Sequence, residues 1–311
     1  MTLGYPTTEN ILDYLKTYLK AEMKVSKKLV NSVKTGLLDI RDELPMITAL
    51  PLLETIHLQF NDGLFSIERN FRLDIINKGY SIDEVKKSVK TRLIELKTLF
   101  STQTLGWQFT ANNIVYCYDF SLGTEVLSEA VNEENGYLQY CMLPLSLRSY
   151  FKASSPVIPT DYVELNYSDL LDYLYTQCST TFTKFPTFWK DVTKPTNLEQ
   201  FPALGIFLKS SDEDTTTTTS TQTSDMIIIF RIYSSLATAE IALINHLRNV
   251  ETVKSWLLNR PFLDGRVDKL TITSVDYGIE EFPRAYQGEE ITQSLFRSDI
   301  TVVASLLNFK E

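Results

Sequence analysis

The chain has 311 residues, 43% of them hydrophobic, 12% aromatic and 22% charged, a globular composition that excludes a disordered, collagen-like or repeat-fibre protein. Its net charge is −9, with 17 Lys+Arg against 18 Asp+Glu in residues 1–155 (net −1) and 13 against 21 in residues 156–311 (net −8). So acidic a second half argues against nucleic-acid binding by phosphate neutralisation, which needs clustered Lys and Arg.

In chain order, Ile11, Leu15 and Leu19 recur at a spacing of four and predict an amphipathic helix. The basic stretch Lys20 to Lys34 predicts an additional helix. Past the turn marked by Leu44-Pro45, Leu52–Phe60 reads as an apolar strand. A second strand is expected around Phe71–Ile75. Ser81-Ile82-Asp83-Glu84 has the form of a capping box, and Val85, Val89, Leu93 and Leu96 make the buried stripe of a long helix. Two strands, Asn113–Phe120 and Tyr137–Leu145, close this half, with Pro144 expected to bend the last strand or end it early.

Ser154 to Thr160 contains Pro156 and Pro159 and reads as a short, stiffened linker. Beyond it, Leu170, Leu174 and Cys178 again mark one face of a helix. Phe182, Phe185, Phe188 and Trp189 follow as the densest aromatic cluster in the chain. The cluster is either the inner face of this segment or an exposed anchor for a partner. A strand is expected over Leu204–Lys209. Asp212 to Ser224 is low complexity, with no apolar residue between Glu213 and Asp225. It reads as a solvated hairpin tip, or as a loop around Thr217 that orders against a neighbouring subunit. Met226–Tyr233 is a continuous apolar run, as in a central strand buried on both faces. A long helix from about Leu236 to Leu258 comes next. Then come a strand through Leu270 and Ile272, and a last strand in which Ile300, Val302, Ala304 and Leu306 share a face.

The two halves repeat. Ile11 to Leu15 returns as Leu170 to Leu174, and Phe71-Arg72-Leu73 as Phe230-Arg231-Ile232, both at an offset of 159. Phe151-Lys152 returns as Phe309-Lys310 at 158, and Leu44-Pro45 faces Phe201-Pro202 at 157. Collinear matches at nearly one offset imply a duplicated domain. The expectation is an α+β fold of two similar domains, residues 1–157 and 158–311, each a mostly antiparallel sheet with helices packed on one face.

Chemistry is sparse in the sequence. The two histidines, His57 and His246, have no partner at metal-ligand spacing and read as structural. The pairs Glu133-Glu134, Glu280-Glu281 and Glu289-Glu290 are adjacent, so in strands their side chains diverge. Phosphate-loop and dinucleotide fingerprints are absent. Cys117, Cys141 and Cys178 are an odd set without CxxC spacing, as suits a reducing compartment. The N-terminus shows no leader pattern, and no apolar run is long enough to span a bilayer. No catalytic residue, cofactor or metal is expected, and no membrane partner.

The second half supports a family resemblance. Its strand Met226–Tyr233, the helix carrying Leu247-Arg248, the run Ile272 to Tyr277, the acidic stretch Gly278 to Glu290, read as a turn, and the closing strand Phe296 to Leu306 stand in an order that resembles the tail terminator and neck proteins of tailed phages. The resemblance implies a ring, usually sixfold, that caps the tail tube and meets tail tube, sheath or head-tail connector proteins. DNA would pass through its acidic lumen only as cargo. It also implies residence in the virion after assembly in the host cytoplasm. Phe185, Phe188, Trp189, Thr217, Glu289 and Glu290 are the candidate subunit or partner contacts. A baseplate hub, a cytoplasmic adaptor binding through the aromatic cluster, and an enzyme with a site between the two copies are the alternatives.

Overall fold

A computed structural model describes residues 6–36, 43–59, 64–101, 119–133, 136–152, 163, 167–195, 198, 200–209, 225–236, 239–286 and 289–305. The chain divides into two compact units. Unit 1 takes Met1–Leu58, Leu64–Lys152 and Thr238–Ile244, and unit 2 takes Gln59–Gly63, Ala153–Ala237 and Asn245–Glu311. The fold is α+β with mostly antiparallel pairing.

Unit 1 opens with α1 (Thr8–Leu19), capped by Thr7, whose Oγ1 accepts from the Asn10 N–H at 3.2 Å. The capping satisfies a backbone donor that the first helical turn leaves unpaired. Ile11, Leu15 and Leu19 are all fully buried, as their spacing demands. The basic stretch after α1 departs from expectation. It does not form a separate helix: α1 runs on through a π-helical segment, Lys20–Ser26, anchored by buried Met23, and the chain then enters strand β1 (Ser32–Thr35). Val33 and Thr35 alternate inward with Ser32 and Lys34, a period of two that the lysines disguise in sequence.

Strands β2 (Met46–Gln59) and β3 (Leu64–Gly79) are both longer than expected. Helix α2 (Ile82–Ser101) buries Val85, Val89, Leu93 and Leu96 against β3 and β7 (Gly136–Lys152). At roughly 1.5–3 kcal/mol for each large side chain removed from water, this stripe is what holds α2 to the sheet. Ser81 Oγ accepts from the Glu84 N–H at 3.2 Å, while the Glu84 carboxylate reaches one residue further than in the standard box, to the Tyr80 N–H at 3.0 Å. Strands β4 (Asp119–Leu122), β5 (Val126–Leu127) and β6 (Val131–Glu133) pair in turn with β7 on its side away from β3. Of the strand expected at Asn113–Phe120, only Asp119 and Phe120 lie within the described residues.

Pro144 neither bends nor ends β7, which continues to Lys152. Its carbonyl accepts from the Gly123 N–H at 2.9 Å. That places its missing N–H toward Gly123–Glu125, the gap between β4 and β5, where no ladder bond is lost. A side chain at Gly123 would meet the proline ring at 2.9 Å, so glycine makes this approach possible.

A buried arginine ties α1 to this sheet. Arg69 on β3 is 1% exposed. It donates to Thr8 Oγ1 and to the Pro6 carbonyl, each at 3.1 Å, and to Ser149 on β7. Glu54 on β2 stands 3.8 Å away as its counter-charge. Burying both charges is tolerable only because each polar atom of the fork finds an acceptor.

Unit 2 contains α3 (Tyr167–Thr181), β8 (Thr187–Lys190), β9 (Ala203–Leu208), β10 (Asp225–Ser235), α4 (Ala239–Leu258, whose first residues count with unit 1), β11 (Lys269–Tyr286) and β12 (Glu289–Ser305). Its strands lie in the order β8-β9-β10-β12-β11. In unit 1, β1 joins β2, and the order β2-β3-β7 ends on β4, β5 and β6. The first pair is parallel in each unit, β1 with β2 and β8 with β9. The bonds preceding Pro45 and Pro202 are both cis. Arg72 is paired with Pro144, and Arg231, at the offset of 159, with Asp299.

The run Met226–Tyr233 is a central strand as read: β10 lies between β9 and β12, with Ile228, Phe230, Ile232 and Tyr233 all fully buried. The second face of this sheet is not bare. Trp189, Leu198, Ala203, Tyr233, Phe282 and Leu295 form a separate small core upon it. Trp189 lies across Gly205 and stacks on Tyr233 at 5.8 Å between ring centres.

A Cβ added at Gly205 would fall 2.1 Å from the Trp189 ring. Gly205→Ala should therefore lower the unfolding free energy by about 1–3 kcal/mol, as overpacking does, read as an earlier midpoint in urea titration.

Candidate functional site

The densest cluster of charged side chains among the described residues lies on the second face of the unit 2 sheet. Strand alternation puts Arg231 and Tyr233 of β10 on one face with Arg297 and Asp299 of β12 and with Asp276 and Glu280 of β11. Arg231 and Asp299 are register partners and form a two-pronged pair, with Nε and Nη2 each 2.7 Å from a carboxylate oxygen. Tyr233 donates to Glu280 at 2.7 Å, and Lys194 stands 2.8 Å from the same carboxylate. Arg297 approaches Asp276 at 3.5 Å, Asp299 at 3.7 Å and Glu280 at 3.9 Å.

This cluster fastens the segment that follows β8. Arg231 Nη1 donates to the Thr193 carbonyl at 2.8 Å, and Trp189 Nε1 donates to the Val192 carbonyl at 3.0 Å. Lys194 donates to the Glu281 carbonyl at 3.1 Å and lies 4.7 Å above the Phe282 ring. Burial alone would lower the Arg231 pKa, but the Asp299 bonds outweigh it and hold the group charged. Burial raises Glu280, and the bonds from Lys194 and Tyr233 more than reverse that. Burial and the Glu280 bond push the Tyr233 hydroxyl well above its ordinary value. Three cations thus face three carboxylates; Arg231 and Glu280 are both moved away from neutrality, while burial raises Asp276. The arrangement suits holding a fold rather than moving protons.

The expected contact residues separate on this frame. Phe185 and Trp189 are 4% and 9% exposed, so the exposed-anchor reading is corrected: both are inner-face residues of unit 2. Phe185 packs on Phe182, which meets Trp256 edge-on. Phe188 is half-buried between Tyr175 and Phe185. Thr217 lies outside the described residues. Glu289 and Glu290 begin β12, paired with Tyr286 and Ala285. The acidic stretch from Gly278 was expected as a turn before the last strand. It is strand instead, because β11 and β12 stay in register to Tyr286 and Glu289. Glu280 in that stretch is engaged by Lys194 and Tyr233 and is not a free wall charge.

Of the remaining reactive groups, His246, Cys141 and Cys178 are enclosed. His246 on α4 is 1% exposed, stacks on Phe296, and has Ser234 Oγ 2.9 Å from Nδ1 and Ser298 Oγ 2.8 Å from Nε2. Burial pushes its pKa down to about 3. The exposed His57 lies 3.5 Å from Glu68. Burial pushes the Cys141 thiol up to about 11 and the Cys178 thiol higher still, which leaves both inert. Cys117 lies outside the described residues. No group of three or more His, Cys, Asp or Glu able to hold a metal occurs among the described residues. Nor is any described helix long and apolar enough to cross a membrane.

No known protein family matches the chain, and no curated protein is similar to it.

Sequence reading missed Arg231, Asp299 and Lys194 as a unit. The two strand residues lie 68 positions apart. The available signal was a charged pair interrupting two apolar strands at the same alternation.

Two predictions follow from these geometries. Arg231→Met strands Asp299 and should cost about 3 kcal/mol by chemical denaturation, as for a broken buried pair, while Arg231→Met combined with Asp299→Leu should recover part of it. His246 is neutral when folded and titrates near its ordinary pKa when unfolded, so below pH 6.5 the unfolded chain takes up a proton that the folded chain refuses. Its contribution is complete above about pH 6.5 and is lost toward pH 3, with a limiting slope of ~1.4 kcal/mol per pH unit. His246→Gln should flatten that part of the stability–pH curve.

Proposed function

We propose that the chain is a structural, non-enzymatic ring component of a phage tail or contractile injection particle, serving as the terminator that caps the tail tube at the neck. The reading takes residues 1–157 and 158–311 as two copies of one domain. The matching strand orders of the two units support this, as do the parallel first pair in each and the collinear offsets. Three such chains would give a ring of six domains, with the acidic second copy nearer the DNA path.

One observation carries the assembly reading. Pairing of β10 with β12 ends at Ser235 opposite Leu295, whereas β11 and β12 stay paired out to Tyr286 and Glu289. Residues Glu289–Ser294 therefore run on beyond the end of β10, and among the described residues no strand pairs with Thr292 or Ser294 on that side. Both residues are exposed. Such an edge recruits a strand from another chain unless it is protected. Pro283 stands opposite Thr292. A proline has no N–H to give its neighbour, so this pair is suited to having its backbone groups turned apart, with the Thr292 N–H toward the open side.

Native mass measurement and negative-stain imaging test the reading. The wild-type chain should form closed rings and add to the ends of purified tail tubes. Thr292→Pro should leave a folded monomer with unchanged far-ultraviolet dichroism. A wild-type chain that stays monomeric at high concentration and never joins tube ends would overturn the proposal. A baseplate hub has the same duplicated plan and is distinguished by which end of the tube is decorated.

A further inference from the structure

One corner of unit 1 gathers features that its own fold does not use. Tyr80 is 89% exposed, and Ile82, Leu127 and Val131 are each between 40% and 52% exposed. These residues come from the β3–α2 connection, the start of α2 and the short strands β5 and β6. An apolar patch built from several elements and rimmed by charge marks a place of contact more often than scattered exposure does. A groove of about 500 Å³ opens here between α2 and the β5–β6 segment, with Ile82 and Leu127 among its walls and Gln139 of β7 lining it.

The groove holds an unmet hydrogen-bonding demand. Gln139 is 4% exposed, and its Nε2 donates to the Ser128 carbonyl at 2.8 Å. Its Oε1 is buried and accepts no hydrogen bond. A buried acceptor left open costs about 1–3 kcal/mol, so a ligand that brings an N–H gains by meeting it. Lys86 and Lys90, one helical turn apart on α2, line the same groove and are exposed. Neither forms an ion pair among the described residues. Among the described residues Glu129 is the lone carboxylate in the lining, against two lysines, on a chain whose overall charge is −9.

We infer that this corner of unit 1 is a docking site for an extended acidic–apolar peptide segment of a partner protein, held by its backbone N–H on Gln139, its carboxylates on Lys86 and Lys90, and its apolar side chains against Ile82 and Leu127. Backbone donors meet the buried acceptor without a further desolvated charge. Carboxylates on the ligand match the two ammonium groups. The apolar walls require alternate aliphatic side chains, the pattern of a strand laid in a groove. The chain's own acidic segment, Asp212 to Ser224, has the charge but lacks apolar residues, which makes it the poorer occupant. The inference does not depend on ring formation.

Fluorescence polarisation with the full chain tests it. The probe is a short labelled peptide of alternating Asp and Leu, compared with Lys–Leu and Asp–Ser peptides of equal length. The Asp–Leu peptide should bind best. Lys86→Glu combined with Lys90→Glu should weaken it about tenfold or more, with thermal unfolding unchanged because both side chains are exposed. Gln139→Leu should weaken it severalfold, measured well below the melting temperature of both chains because the buried amide also bonds the Ser128 carbonyl. If the Asp–Leu peptide does not bind, or binds the charge-reversed chain as well, the site is overturned. Equal binding of the Asp–Ser peptide would reduce it to bulk charge, and tighter binding of a peptide spanning residues 210–224 would replace the external partner with this chain's own segment. Either result overturns the inference.

Discussion

Arg231 and Asp299 meet across the centre of the unit 2 sheet, and much of that unit is arranged around their meeting. A guanidinium and a carboxylate on adjacent strands in the middle of an apolar sheet are stable only if both are paired and most remaining polar positions are satisfied. The pair meets that demand by drawing in the Thr193 carbonyl and the neighbouring charges Arg297 and Glu280. Segment 191–195 is thereby fixed over the sheet, with Trp189 flat on Tyr233 and Gly205 leaving room for it. Unit 2 consequently has two cores on its sheet, an aliphatic one toward α4 and an aromatic one beneath its charged network.

The two units solve their exposed strand edges differently. In unit 2 the strand next to β12 is long and continuous, and β12 itself extends past β10 with its edge open. In unit 1 the corresponding place beside β7 is taken by three short pieces, β4, β5 and β6. Short, interrupted edge strands discourage indiscriminate pairing. They also leave the gap that accommodates Pro144 and the groove beside Gln139. The strand orders of the two units differ most at this edge, whereas the first three strands of each keep the same order and directions.

Much of the architecture was legible because it rests on local periodicity. Val85, Val89, Leu93 and Leu96 mark α2, and Met226–Tyr233 marks the central strand, since burial at these positions follows directly from spacing. The errors arose where a residue's neighbours in space decided its role. Pro144 reads as a strand breaker until the gap between β4 and β5 is seen opposite it. Lys20 to Lys34 reads as one basic helix because the lysines mask the alternation of Val33 and Thr35. Gly278 to Glu290 reads as an acidic turn because its glutamates hide a strand register set by β12.

By itself, the sequence determined the α+β class, the helix faces, the central strand and the unequal charge of the halves, all of which depend on residue type and on separations of a few positions. Tertiary structure alone decided that Phe185 and Trp189 are core, that Glu280 is bound by Lys194 and Tyr233, and that Gln139 keeps a buried acceptor open. Those outcomes depend on which strand lies beside which, and pairing across tens of residues leaves no period in the chain to be read.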